Sequence, residues 1–254
     1  MSILLSVISV IIFFYFSFLI VKKYFKKETA IVFLIILIIN PFIWFLIIAN
    51  TGMLFVLSYI FLLLFLSLRA GIKNKLYGIF CLVTGLIAAL VFWYFATNIS
   101  FTTFISDPGV INAINSVRGD QLKFSSDITA KLLFNKIHYF VFWFSQFVKQ
   151  YSFSNLFSLT GDVKEKVFST TPFLLVFAPF FVYGFIKSFN KLKLKKAIAL
   201  TVLMLIGGIA SSFSINMMDY SLFSFSFPLV AVFIALGINW LIRSRKSAYI
   251  FFRF

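Results

Sequence analysis

With one cysteine, one histidine and seven acidic residues in 254, little is on hand for redox, metal or acid–base chemistry. Cys81 alone forms no disulfide within the chain, and it sits in an apolar run where a small buried hydrophobe is its ordinary role. His138 has no Cys, Asp or Glu at ligand spacing, so no metal site is defined. Phosphate-binding, dinucleotide, HExxH and GxSxG motifs are all absent, which excludes the common soluble-enzyme classes that depend on them. No cofactor is assigned, and a divalent metal stays open.

What the chain has instead is apolar sequence: 62% hydrophobic and only 12% charged, against roughly half and a quarter in soluble domains. The excess falls in long runs separated by short basic clusters, the pattern of an all-α, polytopic integral membrane protein. Helices suit such runs because they satisfy their own backbone groups where water is missing. Seven transmembrane helices are expected, at about 3–21, 30–49, 53–68, 77–96, 171–189, 197–213 and 222–242. They divide a single membrane domain into four helices over 1–96, a loop with a surface helix over 97–170, three helices over 171–242 and a basic tail over 243–254. Asn40-Pro41 is expected to kink the second span, because proline removes a backbone donor.

The net charge of +16 does not read as nucleic-acid binding, because the basic residues lie in the gaps between apolar runs. Sixteen of the 23 fall in alternate gaps: Lys22, Lys23, Lys26 and Lys27; Arg69, Lys73 and Lys75; Lys187, Lys191, Lys193, Lys195 and Lys196; and Arg243, Arg245, Lys246 and Arg253. The other face holds six of the seven acids, all but Glu28. The positive-inside rule then puts the N-terminus outside and the C-terminus in the cytoplasm of a plasma (inner) membrane. No basic stretch or small-residue cleavage site marks a leader, and an outside N-terminus is expected of a chain that has lost an upstream part.

The non-spanning region 97–170 lies on the outside face. Within 138–151, Ser145, Gln146, Lys149 and Gln150 form i, i+4 pairs on one side, and Phe140, Trp143, Phe144, Phe147, Val148 and Tyr151 fill most of the rest. This predicts an amphipathic helix lying at the membrane surface, with rings at headgroup depth. The alternative, an eighth span at about 138–160, would invert every later span and put the 187–196 lysines outside. SDPGVINAINSVRGD holds Asp107, Arg118 and Asp120, with a turn at Asp-Pro-Gly and helical spacing in VINAINSV. Lys136 opens the aromatic helix, Asp162 and Glu165 alternate with Lys164 and Lys166, and Asp219 lies at the outer mouth of the last two spans. A lipid-linked phosphate wants Arg or Lys donors, and glycosyl transfer wants a carboxylate base. The span centres lack the ionisable residue that an ion-coupled transporter usually keeps.

Several stretches resemble a family in order and spacing. VKKYFKKETAIVFLIILIINPFIWF is similar to a helix pair joined by a basic turn and closed by Asn-Pro-aromatic. ISDPGVINAINSVRG, LLFNKIHYFVFWFSQFVKQYSFSNLFSLTGD, STTPFLLVFAPFFVYGF and FPLVAVFIALGINWLI follow. Together they resemble the C-terminal two-thirds of a bacterial GT-C membrane glycosyltransferase, of the kind related to dolichyl-phosphate-mannose protein mannosyltransferases. The resemblance implies a polyprenyl-phosphate sugar donor, transfer on the extracytoplasmic side and inversion at the sugar carbon. It implies substrate contacts from Asp107, Arg118, Lys136 and Asp162, whereas Asn135 and Tyr151 shape the aromatic helix and its lipid interface.

The departures from the family are specific. Its catalytic Asp or Glu follows the first transmembrane helix in an outside loop, and this chain is expected to begin beyond that loop. Its Ser-Arg after the Asn-Pro element has no counterpart in FIWFLIIAN, and MDYSLFSFSFP replaces its His and Arg before the last span. No catalytic residue is therefore assigned. The expectation is a truncated or split glycosyltransferase, inactive alone and needing a separate N-terminal half or partner subunit. The rivals are a non-catalytic membrane scaffold or accessory subunit, and a lipid-linked sugar flippase or polymerase, which would want a polar route between helices. Membrane lipid is a partner in every case, and nucleic acid in none.

Overall fold

The computed structural model describes residues 3–40, 51–70, 135–152, 156–158, 173–192, 194–212 and 226–251, with a few isolated residues between them. Almost all of these are helical: α1 (Ile3–Tyr24), α2 (Lys27–Ile39), α3 (Thr51–Ala70), α4 (Asn135–Gln150), α5 (Ala178–Lys191), α6 (Leu194–Ser212) and α7 (Phe227–Phe251). A two-residue strand pair, β1 (Phe157–Ser158) and β2 (Phe173–Leu174), is parallel, with Phe157 opposite Phe173. Among the described residues, Val7–Tyr24 and Phe227–Ser244 are long and apolar enough to cross a bilayer, and Leu57–Leu66 is a shorter apolar helical stretch. The span expected at 77–96 lies outside the described residues, apart from helical Ile79 and Val83.

Proline sets two helix boundaries. Asn40, the residue before Pro41, is extended at φ −76°, ψ 124°, so α2 stops at Ile39, within the expected span, and Ile43, Trp44 and Ile47 beyond the break are helical again. The Trp44 indole N–H then donates to the freed Ile38 carbonyl at 2.8 Å. Pro179 stands in the first turn of α5, where its missing N–H costs nothing. Further into a helix its ring would meet the carbonyl four residues back, so residues 173–177 form the strand and a 3-10 turn (Leu175–Phe177) and not the start of a longer α-helix. At the other end, α7 continues beyond the expected 242 to Phe251.

Helix directions follow from side-chain pairing. Ser58 Oγ donates to the Ser9 carbonyl at 2.6 Å, and Phe13–Phe61 and Phe16–Phe65 both pack at 5.3 Å, so α1 and α3 run parallel in constant register. Phe173, just before α5, stacks on Phe227, the first residue of α7, at 4.7 Å, and Phe181 and Phe185 pack on Phe233 further along, so α5 and α7 are also parallel. The start of α2 meets the later half of α7, antiparallel: Asn239 Nδ2 donates to Thr29 Oγ1 at 2.5 Å, and Arg243 pairs with Glu28 at 3.1 Å. A backbone hydrogen bond at Glu28, and then the Arg243 and Lys26 charges, hold its carboxyl below the ordinary range. Screening leaves this exposed pair a small contribution.

The core centres on α7, where Val230 to Leu236 are all buried. Its tightest contact is with α5. A Cβ on Gly184 would overlap the Phe233 carbonyl and stand 2.8 Å from Gly237 N, and one on Gly237 would overlap the Phe180 carbonyl. Two backbones meeting this closely exclude any side chain at either position, the small-residue packing by which apolar helices associate. Gly184→Ala is expected to force the helices apart at a cost of about 1–3 kcal/mol. Thermal unfolding of the purified protein in detergent measures this against Ser145→Ala as a surface control. An unchanged midpoint would show that α5 and α7 do not cross at these glycines.

Candidate functional site

The described polar groups converge where α4 ends against α6 and the start of α7. Gly207 and Gly208 interrupt an apolar helix, and an added Cβ at Gly208 would stand 2.5–2.7 Å from carbons of the Tyr151 ring. Glycine there admits a tyrosine to the helix backbone. The Tyr151 hydroxyl donates to the Met204 carbonyl at 2.6 Å and accepts from Gly208 N–H at 3.1 Å. Met204 and Gly208 are an i, i+4 pair, so the phenol bridges the two backbone groups that an α-helix joins directly. Ser226, the residue before α7, donates its own hydroxyl to the same carbonyl at 2.6 Å. The carbonyl's two lone pairs thus take both hydroxyl protons, and the 3.2 Å Tyr151–Ser226 oxygen contact closes the triangle. One side chain from the end of α4 thereby ties α4 to α6 and to the entry of α7.

Electrostatics favour the neutral phenol. Burial pushes the Tyr151 pKa above its ordinary 10.0, against smaller opposing effects of the Ser226 and Gly208 hydrogen bonds.

The aromatic helix is present as α4 and stops at Gln150 in a turn, so no single helix covers 138–160. Its faces differ from the expected ones. Ser145 and Lys149 are exposed, but Gln146 is half-buried and Gln150 is only 3% exposed, both turned toward the protein. Gln150 Oε1 has no hydrogen-bond partner among the described residues. The outward face is apolar instead: Ile137, Phe140, Val141, Phe144 and Val148 are about half exposed or more, with Phe140 and Phe144 stacked at 6.1 Å. A helix with rings outward and amides inward suits an apolar medium on its outer side.

The segment after α4 is anchored as well. Leu156 and Phe157 are buried, and Phe157 packs on Phe173 at 6.0 Å and Phe181 at 5.7 Å. This aromatic cluster joins the strand pair to α5 and brackets the chain between 158 and 173, which carries Asp162.

Of the four sequence-derived substrate contacts, Lys136 is the second residue of α4, and its side chain lies outside the described set. Asp107, Arg118 and Asp162 also lie outside it, as does Asp219. Ile111, Asn112, Asn115 and Ser116 before Arg118 are helical, as the spacing of VINAINSV predicts, but Pro108 and Gly109 beside Asp107 are helical too, where the sequence predicts a turn. Glu28 is the only carboxylate among the described residues, and no group of three or more His, Cys, Asp or Glu gathers there to hold a metal. Sequence reasoning assigned Tyr151 a shaping role but missed Met204, Gly208 and Ser226. The Gly207-Gly208 pair inside an apolar span was the available signal.

No family model, curated protein or solved structure matches the chain.

Tyr151→Phe is expected to cost about 1–3 kcal/mol by stranding the Gly208 N–H and one Met204 lone pair. Hydrogen exchange should accelerate across α4, and unchanged exchange there would contradict the bridging role. A raised folded-state pKa contributes stability that is present below the unfolded value near 10 and is lost as pH rises through the folded value. Wild-type stability should therefore fall at strongly alkaline pH more steeply than that of Tyr151→Phe.

Proposed function

We propose that the chain is an integral membrane protein with its N-terminus outside and its C-terminus in the cytoplasm, acting on a polyprenyl-phosphate sugar at the extracytoplasmic surface. The helix directions support the topology: α1 runs parallel to α3, α5 runs parallel to α7, and α2 runs back against α7, as alternating crossings require. The observation that carries the reading is α4, an aromatic-faced helix fastened by Tyr151 to the start of α7. In the proposed orientation that junction lies toward the outer surface. There, exposed rings lie among lipid tails and headgroups, where a lipid-linked sugar presents its phosphate.

The GT-C resemblance supplies the substrate class. In this reading Lys136 and Arg118 meet the donor phosphate, Asp107 and Asp162 line the sugar or acceptor, and a separate polypeptide carries the reacting carboxylate. A divalent metal fits the same phosphate chemistry, although no described cluster would hold it. A second reading, a non-catalytic scaffold or accessory subunit, is favoured by the seam itself, where Tyr151, Ser226 and Met204 are engaged in holding helices together.

Membranes containing this chain alone are expected to retain a labelled polyprenyl-phosphate sugar without transferring it. Lys136→Ala or Arg118→Ala should weaken retention about tenfold, the effect of losing about 1.4 kcal/mol of charge-assisted contact. Robust transfer that is lost in Asp162→Ala would overturn the assignment of the base to another polypeptide. Absence of any retention would favour the scaffold.

A further inference from the structure

The two faces of α5 are built for different neighbours. One carries Gly184 and Ser188, both buried, and packs on α7. The opposite face is an open furrow of about 540 Å³ lined by Leu175, Ala178, Pro179, Val182, Tyr183 and Ile186. Its wall is apolar apart from the Tyr183 hydroxyl, and Val182 and Ile186 are 46% and 56% exposed. Both the furrow and its breadth come from one chain segment, where the 3-10 turn passes into α5 at Pro179.

Among the described residues, charge appears at only one end of the furrow. The Lys187 ammonium lies 5.8 Å from the centroid of the Tyr183 ring, within cation–π range, which places it at the furrow's edge. Exposed Asn190 lies one turn beyond Ile186 on the furrow's own line, and Lys191 follows. From Leu175 to Ile186 the furrow runs roughly 17 Å by helical rise. That is close to the ~15 Å half-thickness of a bilayer's hydrocarbon core.

We propose that this furrow holds an acyl chain of an anionic phospholipid from the cytoplasmic leaflet, its headgroup phosphate bound by Lys187 and Asn190. The inference rests on the membrane topology proposed above, which puts the Lys187 end of α5 at the cytoplasmic surface, where anionic headgroups concentrate. An apolar trough one leaflet long with donors at a single end matches a phospholipid in length, polarity and sign. A protein helix docked there would leave Lys187 and Asn190 without an anionic partner.

The test uses the full chain carrying Val182→Trp, reconstituted in vesicles of phosphatidylcholine and phosphatidylglycerol, with bromine on the acyl chains of one lipid at a time. Ile186→Trp serves as a second reporter should the first fail to fold. Fluorescence quenching beyond that of the unsubstituted chain reports occupancy of the furrow. Brominated phosphatidylglycerol is expected to occupy it about fivefold more strongly than brominated phosphatidylcholine, the increment that one basic side chain near an anionic headgroup supplies. Adding Lys187→Gln should abolish the preference, whereas Lys195→Gln with Lys196→Gln should leave it intact. Equal quenching by both lipids would reduce the furrow to ordinary boundary lipid and overturn the proposal. Failure of either lipid to quench, with the chain floating in the vesicle fraction, would show the furrow covered by protein and overturn it too. A chain that does not float with vesicles would instead refute the membrane reading itself, and this inference with it.

Discussion

The Tyr151 hydroxyl is the joint on which the meeting of α4, α6 and the start of α7 depends. It bonds both the Met204 carbonyl and the Gly208 N–H, an i, i+4 pair of α6, and Ser226 shares the same carbonyl. Losing the phenol would remove a partner from both backbone groups and untie α4 from α6. The position of α4 is set by that requirement more than by its apolar surface, because its most hydrophobic face points outward. Phe147, edge-on to Tyr151 and stacked on Trp143, carries the constraint back along the helix.

Deeper in the molecule the corresponding constraint is steric. The Gly184–Gly237 contact brings α5 against α7 at backbone distance, and the aromatic cluster of Phe157, Phe173, Phe181 and Phe227 closes above it. Hydrophobic burial gives little reason for helices to associate in lipid, where the tails are as apolar as leucine. In the proposed membrane setting, glycine contacts and interhelical hydrogen bonds such as Ser58–Ser9 and Asn239–Thr29 do so instead. These two bonds and the glycine contact lie in three separate helix pairings, so the elements of the bundle are tied together at several points.

Much of the helical organisation was legible in the sequence because apolar runs and basic gaps record it directly. Boundaries were less so. Pro41 and Pro179 set helix boundaries inside the expected spans through the steric demands of the proline ring, and α7 continued as a helix into a stretch that composition marked as a tail. The inward turn of Gln146 and Gln150 was hidden for a different reason. Periodicity assigns residues to faces, but which face meets protein depends on what packs against it. The Tyr151 joint was least visible, because two of its three partners are backbone groups, which leave no mark on residue type beyond the glycine that makes room. Of the sequence-derived site, Lys136 is located at the start of α4, and Asp107, Arg118 and Asp162 rest on sequence alone.

The central claim is that α4 lies on the outside of a membrane whose inner face meets the later part of α7. Ser145 is exposed on α4, and Ser244 is exposed near Arg243 on α7. With Cys81 replaced by serine, a single cysteine at either position can be offered a membrane-impermeant maleimide on intact cells. The account predicts labelling of Ser145→Cys in intact cells and of Ser244→Cys only after permeabilisation. Labelling of Ser244→Cys in intact cells, with Ser145→Cys protected until permeabilisation, would contradict it.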